Sequence, residues 1–85
     1  MPELSRFFSV KIFMHWNDHN PPHFHAEYGE YNASISLDGD VVRGYLPTKQ
    51  RRLVLAWLEI HREELFENWT RAERGEKLCS IDPLK

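Results

Sequence analysis

His23-Phe24-His25-Ala26-Glu27-Tyr28-Gly29-Glu30-Tyr31-Asn32-Ala33-Ser34-Ile35-Ser36-Leu37 alternates polar and apolar residues on both sides of Gly29-Glu30. A period of two is the mark of a strand with one face buried, because successive side chains point to opposite sides. Gly29-Glu30 has the composition of a two-residue hairpin turn. The turn sets the register, and the register sets which side chains meet. Tyr28 then faces Tyr31, Ala26 faces Ala33, and Phe24 faces Ile35 on the apolar side. On the other side Glu27 faces Asn32, His25 faces Ser34, and His23 faces Ser36.

The same period extends outward from this hairpin. Upstream, Phe8, Val10, Ile12, Met14 and Trp16 alternate with Ser9, Lys11, Phe13 and His15, which reads as one strand with Phe13 covered on its second face. Asn17-Asp18-His19-Asn20-Pro21-Pro22 breaks the pattern: these are turn formers, and the prolines cannot donate ladder hydrogen bonds. Matching Trp16 to Phe24 across that loop puts His15 beside His25. Downstream, Asp38-Gly39 is a strong turn signal, and Val41 to Leu46 forms a shorter fourth strand in which Arg43 meets Ser34. The expected result is a row of His15, His25, Ser34 and Arg43 on one sheet face, with Glu27, Asn32 and Tyr45 one step away.

The second half changes to a period of 3.6. Val54, Trp57, Leu58, His61, Leu65, Trp69 and Ala72 fall on one stripe between Thr48, a reasonable N-cap, and Gly75, a reasonable C′ residue. One straight helix over this span would run about 40 Å, so the reading allows a bend between His61 and Asn68. His61, inside the apolar stripe, is expected to be a buried, bonded histidine. The tail carries Leu78, Ile81 and Leu84 around Pro83 and is expected to pack back on the body. The fold class is therefore α+β: an antiparallel four-stranded β-meander covered on one face by a long C-terminal helix, with residues 1–85 forming one domain.

Composition narrows the function classes. A formal net charge of −2 over 85 residues gives no broad basic footprint for nucleic acid. Cys79 is the sole cysteine, so no internal disulfide forms, and a reducing, cytoplasmic setting is expected. No apolar run approaches the ~20 residues of a membrane span, and the N-terminal residues lack the apolar region of a signal peptide.

Chemistry concentrates in the histidines. Four of the five, His15, His19, His23 and His25, crowd into the loop and the strands around it. His23 and His25, at i and i+2 on a strand, point the same way about 7 Å apart. With His19 from the loop they can supply imidazole nitrogens to a divalent metal such as zinc, and Asp18 can be a further ligand or orient a ring. Without a metal, His15 and His25 can act as acid and base while Arg43 steadies a phosphate or oxyanion. Ser34, Asn32 and Tyr45 would then hold a substrate, with RNA or another phosphoester the fitting class. A plainer alternative stays open, in which the loop is a rigid turn and the sheet histidines are polar surface or a surface for a protein partner.

Pro2-x-Leu4-Ser5-Arg6-Phe7, Asn17-Asp18-His19-Asn20-Pro21-Pro22-His23-Phe24-His25, Trp57-Leu58-x-x-His61-Arg62-Glu63-Glu64-Leu65-x-x-Asn68-Trp69 and Ile81-x-Pro83-Leu84 together resemble a family of short bacterial proteins catalogued as a domain of unknown function. The resemblance spans nearly the whole chain. It implies a component of a toxin–antitoxin-type pair, with a small protein encoded by an adjacent gene as partner and RNA as a target, and it assigns no residue a role.

Overall fold

Strand β1 (Glu3–Phe7) turns back onto strand β2 (Val10–Phe13) in the computed structural model, which describes residues 2–85. Strands β3 (His23–Tyr28), β4 (Tyr31–Ser36) and β5 (Val41–Gly44) continue an antiparallel sheet of order β1-β2-β3-β4-β5, and helix α1 (Thr48–Glu73) follows. The class is α+β with one long C-terminal helix, as the two periods imply, but the sheet has five strands and not four.

The extra strand, Glu3–Phe7, lies upstream of the segment expected to be one strand from Phe8 to Trp16, of which only Val10–Phe13 is strand. Phe8 and Ser9 adopt positive φ, 46° and 63°. That is the backbone of a two-residue type I′ turn, usually filled by Asn-Gly. Phe8-Ser9 has neither Asn, Asp nor Gly, the residues that mark a type I′ turn, so the expected strand began inside the turn. Phe8 consequently sits at a hairpin tip, 56% exposed, and Trp16 lies beyond the strand, 44% exposed. The Trp16 indole N–H donates to the Glu76 carbonyl, 2.9 Å.

The β3–β4 register is as the turn dictates, from Tyr28↔Tyr31 to His23↔Ser36. The β2–β3 register differs from the expected match of Trp16 to Phe24. Phe13, not His15, stands opposite His25, and Lys11 opposite Glu27. The slip is two residues, which preserves the faces because side chains alternate with period two. Between β4 and β5 two irregularities cancel. The turn is a three-residue loop closed by the Gly39 N–H on the Ser36 carbonyl, with Gly39 at φ 101°. It pairs Ile35 with Val41, and a bulge then makes Val42 the extra residue, so that Ser34 meets Arg43.

Helix α1 begins at Thr48, but the N-cap position belongs to Pro47 and no side chain caps it, which corrects the reading of Thr48. Its C-terminus closes as a Schellman motif. The Gly75 N–H bonds the Ala72 carbonyl and the Glu76 N–H bonds that of Arg71, with Gly75 at φ 70°. The helix breaks at His61 (φ −114°, ψ 20°). Its 26 residues would extend about 39 Å if straight, more than the molecule's longest extent of 33 Å. The break lets the second half fold over the sheet.

Trp57, Phe24, Ile12, Met14, Ile35, Leu37, Leu46, Leu58 and Leu65 are fully buried between sheet and helix. Each such side chain is worth about 1.5–3 kcal/mol relative to exposure. The tail returns as expected. Ile81 donates its N–H to the Leu4 carbonyl, 2.8 Å. The buried Asn68 amide accepts from the Cys79 N–H and donates to the Cys79 carbonyl, 2.8 and 2.9 Å. Trp57 donates to the Asp82 carbonyl, 2.8 Å. Among the described residues no helix is long and apolar enough to cross a membrane.

Candidate functional site

The loop between β2 and β3 is pinned at both ends. Asn17, at φ 53°, donates its N–H to the Ala72 carbonyl, 3.2 Å, and the Pro22 carbonyl accepts the Leu37 N–H, 3.0 Å. Asparagine tolerates the left-handed region better than most residues, and this pivot turns Asp18 back over the sheet. Asp18 Oδ1 accepts the His19 N–H at 2.9 Å. Its other oxygen, Oδ2, lies 3.0 Å from His23 Nε2 and 3.3 Å from His25 Nε2.

The far nitrogens of both rings are occupied. His23 Nδ1 donates to the Pro21 carbonyl, 2.7 Å. His25 Nδ1 lies 3.2 Å from Ser34 Oγ, the cross-strand partner that the hairpin register supplies. Protein oxygens therefore orient both imidazoles through Nδ1, and both Nε2 atoms converge on one carboxylate oxygen. The three ligand atoms lie within 4.8 Å of one another. With Nδ1 of His23 donating to a carbonyl, a neutral ring presents a lone pair at Nε2, and a carboxylate oxygen also only accepts. A proton on that nitrogen, or a metal ion between the two atoms, satisfies the contact.

Packing holds the rings in place. Phe13 stacks on His25, centroids 5.4 Å apart at 15°. His15 meets His25 edge-on at 4.4 Å, and His23 meets it at 5.0 Å. Trp69 of α1 covers His23 at 5.3 Å. Burial is the largest influence on His25 and lowers its proton affinity below the usual 6.5; the bond to Asp18 opposes this, and the neighbouring His15 and His23 add to it. For Asp18, burial acts to raise the carboxyl but is outweighed by the bonds from His25, the His19 N–H and the charge of His23, leaving it below the usual 3.8. The carboxylate is thus held ionised and the His25 ring neutral at pH 7, the states in which both bind metals.

These groups open into a cavity of about 280 Å³ lined by Asp18, His19, Asn20, Pro21, His23, His25, Ser34, Val42 and Arg43. Of the residues singled out from sequence, the structure brings Asp18, His19, His23, His25, Ser34 and Arg43 to this cavity. The His19 side chain is 89% exposed, and its Nδ1 lies 3.4 Å from Asp18 Oδ1, the oxygen turned away from the other two rings. His15 touches His25 without lining the cavity. Asn32 and Tyr45 lie elsewhere: the Asn32 carbonyl accepts the Tyr45 N–H, and the Tyr45 ring packs on Tyr31 at 5.8 Å. Gly44, at φ 80°, interrupts the alternation that would have returned Tyr45 to the Arg43 side. His61 bonds Glu64 through Nδ1, 2.6 Å, and packs on Trp57, remote from the cavity. Sequence reasoning missed the Pro21 carbonyl and Val42. Neither carries a signal, because one is backbone and the other lines the cavity only through a bulge.

The chain belongs to the family described as Domain of unknown function (DUF4160), which residues 10–70 match. That span holds β2 through most of α1 and includes every residue of the cavity. No curated protein and no solved structure matches the chain.

Proposed function

We propose that this member of the family binds a divalent transition metal, zinc foremost, on Asp18, His23 and His25. One observation carries the reading: both Nδ1 atoms are engaged by protein oxygens while both Nε2 atoms meet at one carboxylate oxygen. Outer partners on the far nitrogen are the usual means of orienting metal-ligating histidines. The spacing supports it too. With metal–ligand bonds of about 2.0–2.1 Å, tetrahedral ligands sit about 3.3 Å apart and octahedral ones about 3.0 Å, against 3.3 and 3.0 Å between these nitrogens and Asp18 Oδ2. Two histidines and one carboxylate leave coordination positions open toward the cavity, as catalytic centres do.

The reaction we assign is hydrolysis of a phosphoester, RNA included, in a cytoplasmic, one-domain component of a toxin–antitoxin-type pair. A metal at this site would supply Lewis acidity. Water adds to phosphorus, the P–O ester bond breaks, and the departing oxygen takes up a proton. His15 packs edge-on against His25 outside the cavity, so its part in this reading is to steady that ring, and the proton comes from the attacking water. Arg43 offsets charge on the phosphoryl oxygens. His25 belongs to both the ligand set and the acid–base set, and its bond to Asp18 favours the ligand role. The pairing with a small partner protein rests on the family resemblance alone.

Untagged protein purified from cells and analysed for metals should contain about one equivalent of zinc or another transition ion. Cobalt(II) added to metal-free protein should give visible absorption bands that Asp18→Ala and His23→Ala abolish and His19→Ala retains. No stoichiometric metal and no cobalt spectrum would end the reading. Expression of wild type against His25→Ala, scored by growth and RNA integrity, tests the toxin role; equal and harmless behaviour removes it.

A second reading, a non-catalytic protein-binding module, is favoured by edge strand β5, all of which is exposed, and by the exposed Val41, Val42, Tyr31 and Tyr45 around it. An open strand edge invites a partner strand. Co-purification with the product of the adjacent gene tests it.

A further inference from the structure

Arg43 is the one guanidinium lining the cavity, and its position depends on an irregularity. The three-residue turn after β4 offsets the pairing by one, giving Ile35↔Val41. A regular continuation would pair Ser34 with Val42 and turn Arg43 to the core face. The bulge at Val42 restores the register to Ser34↔Arg43 and re-aims the arginine into the cavity. Immediately afterwards Gly44 takes φ 80°, where an added Cβ would lie 2.2 Å from the Asn32 carbonyl oxygen, so the chain leaves the strand by a fixed route. Among the described residues no carboxylate pairs with Arg43: the ion pairs that form use Arg6, Arg62 and the histidines. Asp18, the carboxylate that shares the cavity, is taken by its two imidazoles.

We propose that Arg43 and the metal-binding triad form a two-point receptor for a terminal phosphate group. This rests on the metal reading above and narrows the phosphoester class proposed there, favouring a terminal phosphate over the internal diester linkages of RNA. With a divalent ion on Asp18, the cavity holds a net positive charge before Arg43 is counted. If His25 ligates through Nε2, its Nδ1–H donates to Ser34 Oγ, which leaves the Ser34 hydroxyl proton to point into the cavity as a further donor. A guanidinium fork takes two oxygens of a planar or tetrahedral anion. A carboxylate has only two, so reaching both points makes one oxygen serve the fork and the metal together. A phosphate with three unesterified oxygens gives two to the fork and keeps one. A phosphodiester, with two, must share an oxygen in the same way. The lining contains no Phe, Tyr or Trp, the large rings that serve as stacking platforms for unpaired bases, so the charged groups at the phosphate carry most of the recognition.

The test is calorimetric titration of the full chain loaded with one equivalent of zinc, using inorganic phosphate, dimethyl phosphate and acetate as probes, on wild type, Arg43→Lys and Arg43→Gln. Arg43 is exposed, so these variants should keep the fold, checked by circular dichroism, and should keep the zinc affinity. Phosphate should bind wild type at least tenfold more tightly than either other anion. It should weaken at least tenfold in Arg43→Gln and less in Arg43→Lys. Equal phosphate affinity in wild type and Arg43→Gln overturns the receptor and leaves the metal centre standing. Dimethyl phosphate binding as tightly as phosphate overturns the preference for a terminal group. Failure of zinc to bind wild type removes both readings at once.

Discussion

Replacing Asp18 by Asn separates the metal centre from a set of ordinary surface hydrogen bonds. The substitution keeps the shape of the side chain and an acceptor for the His19 N–H, but removes the charge on which two imidazoles converge. In metal-free protein it costs only what the carboxylate contributes as a partly buried acceptor for those rings, about 1–3 kcal/mol. With zinc the outcomes diverge. A ligand bound by the folded state alone stabilises by about 2.7 kcal/mol at one hundred times its dissociation constant. For a domain of this size each kcal/mol moves the melting temperature by about 4–8 °C. Wild type should therefore rise by about 10–20 °C in saturating zinc, and Asp18→Asn by a small fraction of that. The assay is thermal unfolding followed by circular dichroism, with and without zinc, after chelator treatment and dialysis. An equal zinc-induced rise in both proteins would refute the role given to the carboxylate, as would no rise in wild type.

Other consequences are as specific. Ser9→Gly relieves an L-residue from the left-handed region at the β1–β2 turn and should stabilise by about 1 kcal/mol; a lower melting temperature would contradict the turn geometry. Gly44→Ala forces a Cβ to within 2.2 Å of the Asn32 carbonyl oxygen at φ 80° and should cost about 2 kcal/mol or more, measured by urea unfolding; a neutral effect would mean that β5 leaves the sheet by another path. The pH dependence of metal-free stability follows from two depressed groups. The folded state holds a proton on His25 less readily than the unfolded chain, so stability falls as pH drops below about 6.5 toward the lowered value. Asp18 contributes stability that is present above 3.8 and is lost as pH falls through its lower folded value. Denaturant midpoints should thus decline steadily from pH 7 to pH 3, with the upper limb flattened in His25→Gln; a midpoint higher at pH 5 than at pH 7 would reverse the assigned sign.

Local pattern made the central hairpin readable. Gly29 and the alternation around it specify Tyr28↔Tyr31, and every pair out to His23↔Ser36 follows, because one face must be apolar and a slip of one residue would expose it. The helix is readable for the same reason, its stripe having the period that one buried face requires. Where two segments are joined by a long loop, or turned by residues without a turn signature, the pattern leaves freedom. A slip of two between β2 and β3 costs no alternation, and so His15 and Phe13 exchanged places opposite His25. Phe8-Ser9 bends because packing of β1 on β2 outweighs the local strain of two L-residues at positive φ, a balance invisible in either segment alone.

The chain's own order of residues determined that His23 and His25 would share a face of one strand and that Ser34 would lie across from His25, since both follow from period two and a two-residue turn. Tertiary structure decided the rest. Asp18 reaches the two rings because Asn17 is tied to the far end of the helix, some fifty residues away in the chain, and Arg43 reaches the cavity because a bulge undoes the offset of a turn. Those are contacts between distant parts of the chain, set by how whole elements pack, and local periodicity holds no record of them.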